Sequence, residues 1–445
     1  MNPRIRLVIF LIFLFAFLIS APLVVLYTAG YRFDVSARTI VRTGVLNLST
    51  VPRGATVSID GEENTDKTPS LLDDILPGKR FVEIEKDGYT TWQKTLEVES
   101  RNTTFVFDAV LFLKNEPFLE DDRTAIEYSL SPDSHHMVYL INEGSWVELW
   151  TTGSTSDSQQ LLTRLPHNDS ASYVLSWSSK STYVSLEQQT YLGDSVSIID
   201  VARGVTVETH DVLQSTDDYW WDAGNDDGLF IRTDSNLYRL LMSDDSVASI
   251  VPENPHTAVT QDKTYVLTES SDKMVLARQE EEAVSIITYL PFGTYRFLPA
   301  PDGLVMLQDV DRSRLVVVEL SESEQPILFS KDAELWQWND DGDRLLYSDG
   351  FDIEIYTRSS HTTQTLTRIS EEISTLLWYP QGNVIIFAAD QNLTAFELDN
   401  RDGHHTTTLI EGETENVWLD DEGDYLFFSG AVNDLDGLYS KQLQQ

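Results

Sequence analysis

The sequence predicts an all-β protein dominated by a β-propeller, and three observations predict it. A turn glycine recurs at Gly303, Gly342, Gly382 and Gly423, in steps of 39, 40 and 41 residues. Each of these glycines sits in the same phrase: an aromatic lead, a polar turn, a strongly apolar strand, then a second strand. A period of about 40 residues in a strand-rich chain is that of propeller blades. The composition also suits a large packed core, with 41% hydrophobic and 11% aromatic residues. The chain has no cysteine, so disulfides, thiolate metal sites and cysteine nucleophiles are excluded.

Residues 1–6 read as a short basic tail carrying Arg4 and Arg6. Residues 7–27 form an uncharged apolar run of 21 residues, long enough to cross a bilayer as a helix. It exceeds the usual apolar length of a secretion signal, and no small-residue cleavage pattern follows it. A single-pass signal-anchor is expected, with a cleaved signal as the alternative. The basic end should stay in the cytoplasm, leaving the later domains extracytoplasmic. Residues 28–43 read as an extended spacer.

From residue 44 the pattern changes to period-two strands. Val57 and Ile59 alternate with Ser58 and Asp60 before an Asp60-Gly61 turn; Val82 and Ile84 alternate with Phe81, Glu83 and Glu85. Trp92, Lys94, Leu96 and Val98 then share one face of a further strand. A compact antiparallel β-sandwich over 44–114 is expected. Its landmarks are Pro52-Arg53-Gly54-Ala55, Thr68-Pro69, Leu76-Pro77-Gly78 and Gly88-Tyr89. In that order they resemble the PEGA domain, although Arg53 stands where that family usually has Glu. The resemblance covers about one sixth of the chain. It implies no catalytic residues; it implies a spacer or an attachment unit of the kind found in bacterial surface proteins.

Residues 115–445 hold the repeat, with copies beginning at Leu130, Trp177, Trp221, Val259, Pro299, Trp338, Tyr379 and Leu419. Eight blades are expected, with seven as the alternative if the third or fourth copy is irregular. The apolar strand after each turn should be central in its blade, and the strand after that should alternate more. A strand from 115–128 should close the ring against the last copy and remove an open edge. The Ser-Pro-Asp and Pro-Asp-Gly turns resemble the WD40-like repeats of TolB-type propellers, which implies the same architecture.

The net charge of −41 is unsuited to nucleic acid or anionic lipid surfaces. Lysine is scarce, ten against 21 arginines. This fits a self-repelling exterior, adaptation to salt, or a basic partner. No nucleophile elbow, zinc-protease, P-loop or dinucleotide motif is present. His135-His136 and His404-His405 are adjacent pairs that a strand would point to opposite faces, which makes poor chelates. The Asp-rich stretches at 222–228 and 339–343 lack full calcium-loop spacing and fall where blades need turns. Trp177, Trp221, Trp338, Trp378 and Trp418 recur at one blade position, as packing residues would. In Tyr219-Trp220-Trp221 the three rings cannot all face one core, so Tyr219 and Trp220 are the candidate exposed binding aromatics. No catalytic, cofactor or metal site is expected. The expected role is a non-enzymatic, membrane-anchored binding or scaffold protein of the cell envelope, contacting a protein or polysaccharide. The alternatives are a glycan-acting lyase or hydrolase in the channel, or a structural surface-layer component.

Overall fold

A computed structural model describes residues 3–34, 38–123, 125–133, 136–152, 159–191, 193–207, 218–232, 237–243, 246–249, 257–260, 263–279, 284–321, 325–433 and 435–445. By their contacts they form two units. The first comprises Met1–Asn115, Glu397–Thr407 and Gln444–Gln445; the second comprises Glu116–Phe396 and Thr408–Leu443.

The first unit begins with helix α1 (Pro3–Thr28). Its apolar side chains are exposed along its length, Phe13 by 71%. No protein core covers them, so the run of Leu, Ile and Phe is not explained by packing inside the unit. Gly30, at φ +77°, reverses the chain after the helix. The expected spacer is in fact a paired hairpin of β1 (Tyr31–Asp34) and β2 (Thr39–Arg42). Two four-residue strands are too short to show a period in sequence.

Seven strands follow: β3 (Gly44–Val51), β4 (Thr56–Ile59), β5 (Glu62–Glu63), β6 (Ser70–Ile75), β7 (Gly78–Glu85), β8 (Trp92–Val98) and β9 (Thr103–Val110). They make a three-stranded sheet β6-β3-β9 and a four-stranded sheet β5-β4-β7-β8. Leu46, Leu48, Val57, Val82, Ile84, Trp92 and Leu96 fill the space they enclose. The sandwich is not wholly antiparallel as expected, because β3 and β9 pair in parallel. They are the first and last strands of the module, and everything between them is the crossover that a parallel pair needs.

Lys94 does face inward with Trp92 and Leu96, yet it carries a charge. Its ammonium lies 2.9 Å from Glu397 and 3.6 Å from Asp399, and it also donates to the Asp399 carbonyl. The Trp92 indole donates to the same Glu397 carboxylate at 3.2 Å, and Thr95 N donates to Asp402. The segment Glu397–Thr407 therefore completes the polar side of this unit's core. His404 donates to the Glu397 carbonyl while His405 tilts against Trp92. The pair thus points two ways, and His135 lies outside the described residues.

The second unit contains eight four-stranded sheets among its described residues. Seven run in chain order from inner to outer strand. In the eighth, the innermost strand is Thr414–Leu419, followed by Tyr425–Val432 and Leu435–Gln442. Its outermost strand is Phe118–Asp121, antiparallel to Leu435–Gln442, so the start of the unit is sewn to its end. The inner strands Ala125–Leu130 and Thr414–Leu419 also meet, closing the ring between the first and last sheets. This is propeller architecture.

Second strands are apolar and buried, as in Val384–Ala389 and Met137–Glu143. Third strands are mixed: Asp352–Thr357 and Asn392–Glu397 alternate between buried and half-buried positions over their first turns of pleat, whereas Arg314–Glu319 is buried in a run. The fourth strand covers their edge and takes the solvent; Thr362–Arg368 is almost wholly exposed. In four sheets the turn between first and second strands is a short loop whose leading N–H donates to the carbonyl five residues on. Its leading side chain accepts an N–H five residues on: Ser131 from His136, Ser178 from Tyr183, Asn339 from Arg344, and Asp420 from Tyr425. That is why Ser, Asn and Asp lead these turns.

The glycine of the repeat answers to two constraints. Gly342, Gly382 and Gly423 have φ of +68°, +68° and +75°. A Cβ on Gly423 would also lie 2.9 Å from Tyr379 and Pro380 of the preceding turn, and one on Gly342 would lie 2.8 Å from Pro301. The Tyr379 hydroxyl donates to the Gly423 carbonyl at 2.9 Å. At Gly342, Gly382 and Gly423 successive turns thus nest, each glycine against the turn before it, whereas Gly303 meets only Arg358 at 3.7 Å.

Two outcomes follow. Gly423→Ala should cost about 1–3 kcal/mol in denaturant unfolding, since it adds left-handed strain to a clash. Burial raises the Glu397 carboxyl above its ordinary range even though Lys94 opposes the shift. The folded form therefore holds that proton more tightly than the unfolded form. Stability from this group is present at low pH and lost as pH rises through the raised pKa. Lys94→Ala should destabilise by about 3–5 kcal/mol at about pH 8. The loss should shrink towards about pH 5, where Glu397 can take up a proton. A cost independent of pH would contradict this account.

Candidate binding site at the propeller channel

The inner strands end in the tryptophans that mark the repeat. The Trp177 indole donates to the Ser129 carbonyl at 3.0 Å, Trp221 to Ser176 at 3.1 Å, and Trp378 to Gln337 at 3.1 Å. In each case the acceptor is the penultimate residue of the preceding sheet's inner strand. An inner strand is an edge with unpaired backbone groups, and the next sheet's indole satisfies one of them. Trp338 instead donates to the Met306 sulfur, and the buried Trp418 N–H has no partner among the described residues. The recurrent tryptophans are packing residues, with a bonding role that their spacing alone does not reveal.

Above these strand ends the surface is concave. A cavity of about 500 Å³ is lined by Asp218, Trp220, Trp221, Arg232, Tyr295 and Arg296. A second, of about 610 Å³, is lined by Asp133, Glu334, Trp336, Trp338 and Asp340. Pro132, Leu298 and Pro299 border both, so the two are continuous. Their electrostatics differ. Arg232 and Arg296 line the first beside one carboxylate, Asp218, and three carboxylates line the other. Trp336 and Trp338 are half-buried, leaving ring area open to a ligand.

Tyr219 and Trp220 are half-buried rather than exposed, and they part to opposite faces of strand Asp218–Trp221. Tyr219 packs with Trp221 and donates to Glu187 at 3.1 Å. Burial raises its phenol pKa, with the Glu187 charge adding to the shift. It is a neutral donor in an interface between sheets, which makes it structural. Trp220 turns the other way, stacks on Phe230 at 5.7 Å and lies under the Arg232 guanidinium at 5.0 Å. Its indole N–H has no hydrogen-bond partner among the described residues, and the residue lines the cavity. Of the two aromatics, Trp220 is the one at the candidate site. Trp336, Arg232 and Arg296 join it there. Sequence reasoning passed over them because they sit on different strands and share no motif.

Burial pushes the Tyr295 phenol up to about 12, and its hydroxyl is taken up by the Pro291 carbonyl at 3.2 Å, so Tyr295 serves the cavity as wall. No group of three His, Asp or Glu side chains suited to a metal ion occurs among the described residues. The Asp-rich turns are engaged locally. Asp222 is fully buried and holds Arg239 at 3.0 Å, and Asp343 accepts from Ser359.

The small module can be placed by its turns. Thr68 N donates to the Ala55 carbonyl and Gly54 N to the Thr68 carbonyl. The Thr68 hydroxyl accepts from Ala55 N at 2.9 Å and meets the Thr50 hydroxyl at 2.6 Å. Ala55 is fully buried, whereas Arg53 is exposed. The motif is a stitched double turn in which the Arg53 position faces solvent, so its side chain is free to vary. Residues 43–114 match the PEGA domain. The match covers the PEGA strands β3 to β9 and leaves the rest of the chain unassigned.

Solved structures with propeller-like likeness include one titled "Crystal structure of the eukaryotic initiation factor". It has 13% identity, covers 73% of this chain and 90% of that one, and has a TM-score of 0.47. Kluyveromyces lactis Hsv2 has 12% identity, 73% and 98% coverage, and a TM-score of 0.35. An oligogalacturonate lyase in complex with manganese has 13% identity, 72% and 98% coverage, and a TM-score of 0.35. At such values the propeller assignment rests on the sheet order above. No curated protein matches the chain.

The indole bonds carry a measurable signature. Trp177→Phe, Trp378→Phe and Trp418→Phe remove the same volume, but only the first two strand a carbonyl. Those two should each cost about 1 kcal/mol more than Trp418→Phe in chemical unfolding. Equal costs would assign the tryptophans to packing alone.

Proposed function

We propose that this chain is a non-catalytic, single-pass membrane protein whose propeller presents its channel mouth to an envelope protein or surface polysaccharide. The observation that carries the reading is the continuous concavity over the inner-strand ends, with half-buried aromatic rings beside charged groups of both signs. Sites of this make-up favour binding through stacking and hydrogen bonding. Helix α1 supplies the anchor, with its basic amino-terminal end inside and the PEGA and propeller domains outside. Eight sheets correspond to eight blades in this reading. The PEGA module acts as a spacer or secondary attachment unit.

The test is site-specific photo-cross-linking of the full-length protein on cells that make it. A cross-linker at Trp336 should capture a discrete protein or glycan adduct, and Trp220→Ala should abolish that capture. Adducts no different from those at Glu62, on the PEGA module, would overturn the binding face. Turnover of a captured glycan would overturn the non-catalytic reading.

A further inference from the structure

The hairpin β1–β2 has two unlike faces. Arg32 and Val41 pair across one, and Tyr31, Phe33, Ile40 and Arg42 occupy the other. The first face is tied to the PEGA module, where Arg32 pairs with Asp74 of β6. The second carries the cross-strand pair Phe33–Ile40, exposed by 60% and 56%. Arg42 lies over the Tyr31 ring at 5.8 Å on the same face. An isolated two-stranded hairpin is marginal in water, and an uncovered Phe–Ile pair makes it more so.

The position of this face says what covers it. Arg32 donates to the Tyr27 carbonyl at 2.7 Å, and its guanidinium sits 3.6 Å from the Tyr27 ring centroid. Gly30 N donates to the same carbonyl, and Thr43 N returns to the Gly30 carbonyl at 2.9 Å, closing the hairpin's base. Both strands are therefore pinned to the last turn of α1. Phe33 lies three residues beyond Gly30, a reach of roughly 10 Å. Where α1 leaves the hydrocarbon, the headgroup layer is roughly 5–7 Å deep, so the apolar pair is held at that layer. The residues 28–43 also carry Arg32, Arg38 and Arg42 against Asp34, a locally basic patch in a chain of net charge −41. Aromatic rings with arginines at a helix end form the belt that sits at membrane interfaces.

We infer that the Tyr31–Phe33–Ile40–Arg42 face lies on the phospholipid interface, making the anchor a helix plus a hairpin. This rests on α1 crossing the bilayer, and the test separates the two ideas. Because the native chain has no cysteine, single nitroxide labels can be placed at Phe33→Cys, Ile40→Cys, Phe13→Cys and Glu62→Cys. The full-length protein is then set in nanodiscs of phosphatidylcholine and phosphatidylglycerol. Labels at 33 and 40 should be relaxed more by oxygen than by a water-soluble nickel chelate, with depths between those at 13 and 62. The variant Phe33→Ser/Ile40→Ser should expose the Arg38 and Arg42 bonds to trypsin severalfold faster in the same discs. If Phe13 reports lipid while 33 and 40 match Glu62, the hairpin proposal fails and the anchor stands. If Phe13 also reports water, both fall.

Discussion

Every sheet in the second unit faces the same difficulty, an inner edge whose backbone groups have no fifth strand to pair with. At three of the junctions a bond between neighbouring sheets meets part of it. The indole of one inner strand reaches the penultimate carbonyl of the strand before it, as Trp177, Trp221 and Trp378 do. A ring of this kind leaves a concavity where the strand ends converge, and the charged and aromatic side chains gathered there are free of structural duty to differing degrees. Tyr219 is committed to Glu187, whereas Trp220 retains an unbonded N–H.

The turns add a second set of bonds between sheets. Gly423 and Gly342 fit beneath the preceding turn because they have no side chain, and Tyr379 fastens the same contact from the other direction. A residue chosen for backbone conformation thus also sets the spacing of neighbours. Few positions on this surface could change without moving the next sheet.

Much of this is legible in the sequence. The period of the turn glycines marked the sheets, and the alternation in Val57–Ile59 and Val82–Ile84 marked the small module. Those features are local, and each element's own residues announce it. What escaped depends on partners far apart in the chain. The parallel pairing of β3 with β9 is decided by closing the module. Lys94 looked like an ordinary member of a core face, but its counter-charges are about 300 residues away, at Glu397 and Asp399. Trp220 stands out in the sequence because three rings in a row cannot share a face. Its Arg232 lid and its cavity come from a neighbouring strand and from sheets elsewhere in the ring.

The seam between Phe118–Asp121 and Leu435–Gln442 has a bearing on how the chain is made. Glu120 and its partner Ser440 are 320 residues apart. At ordinary ribosomal speed, the earlier strand waits roughly 15–60 s before the later one exists. Throughout that interval the ring is an open arc with two unsatisfied ends. A chain that is translocated while it is being synthesised would spend this time emerging into a compartment where neighbouring arcs can find each other. Strong mutual repulsion between acidic arcs is one way to keep them apart until each has met its own tail.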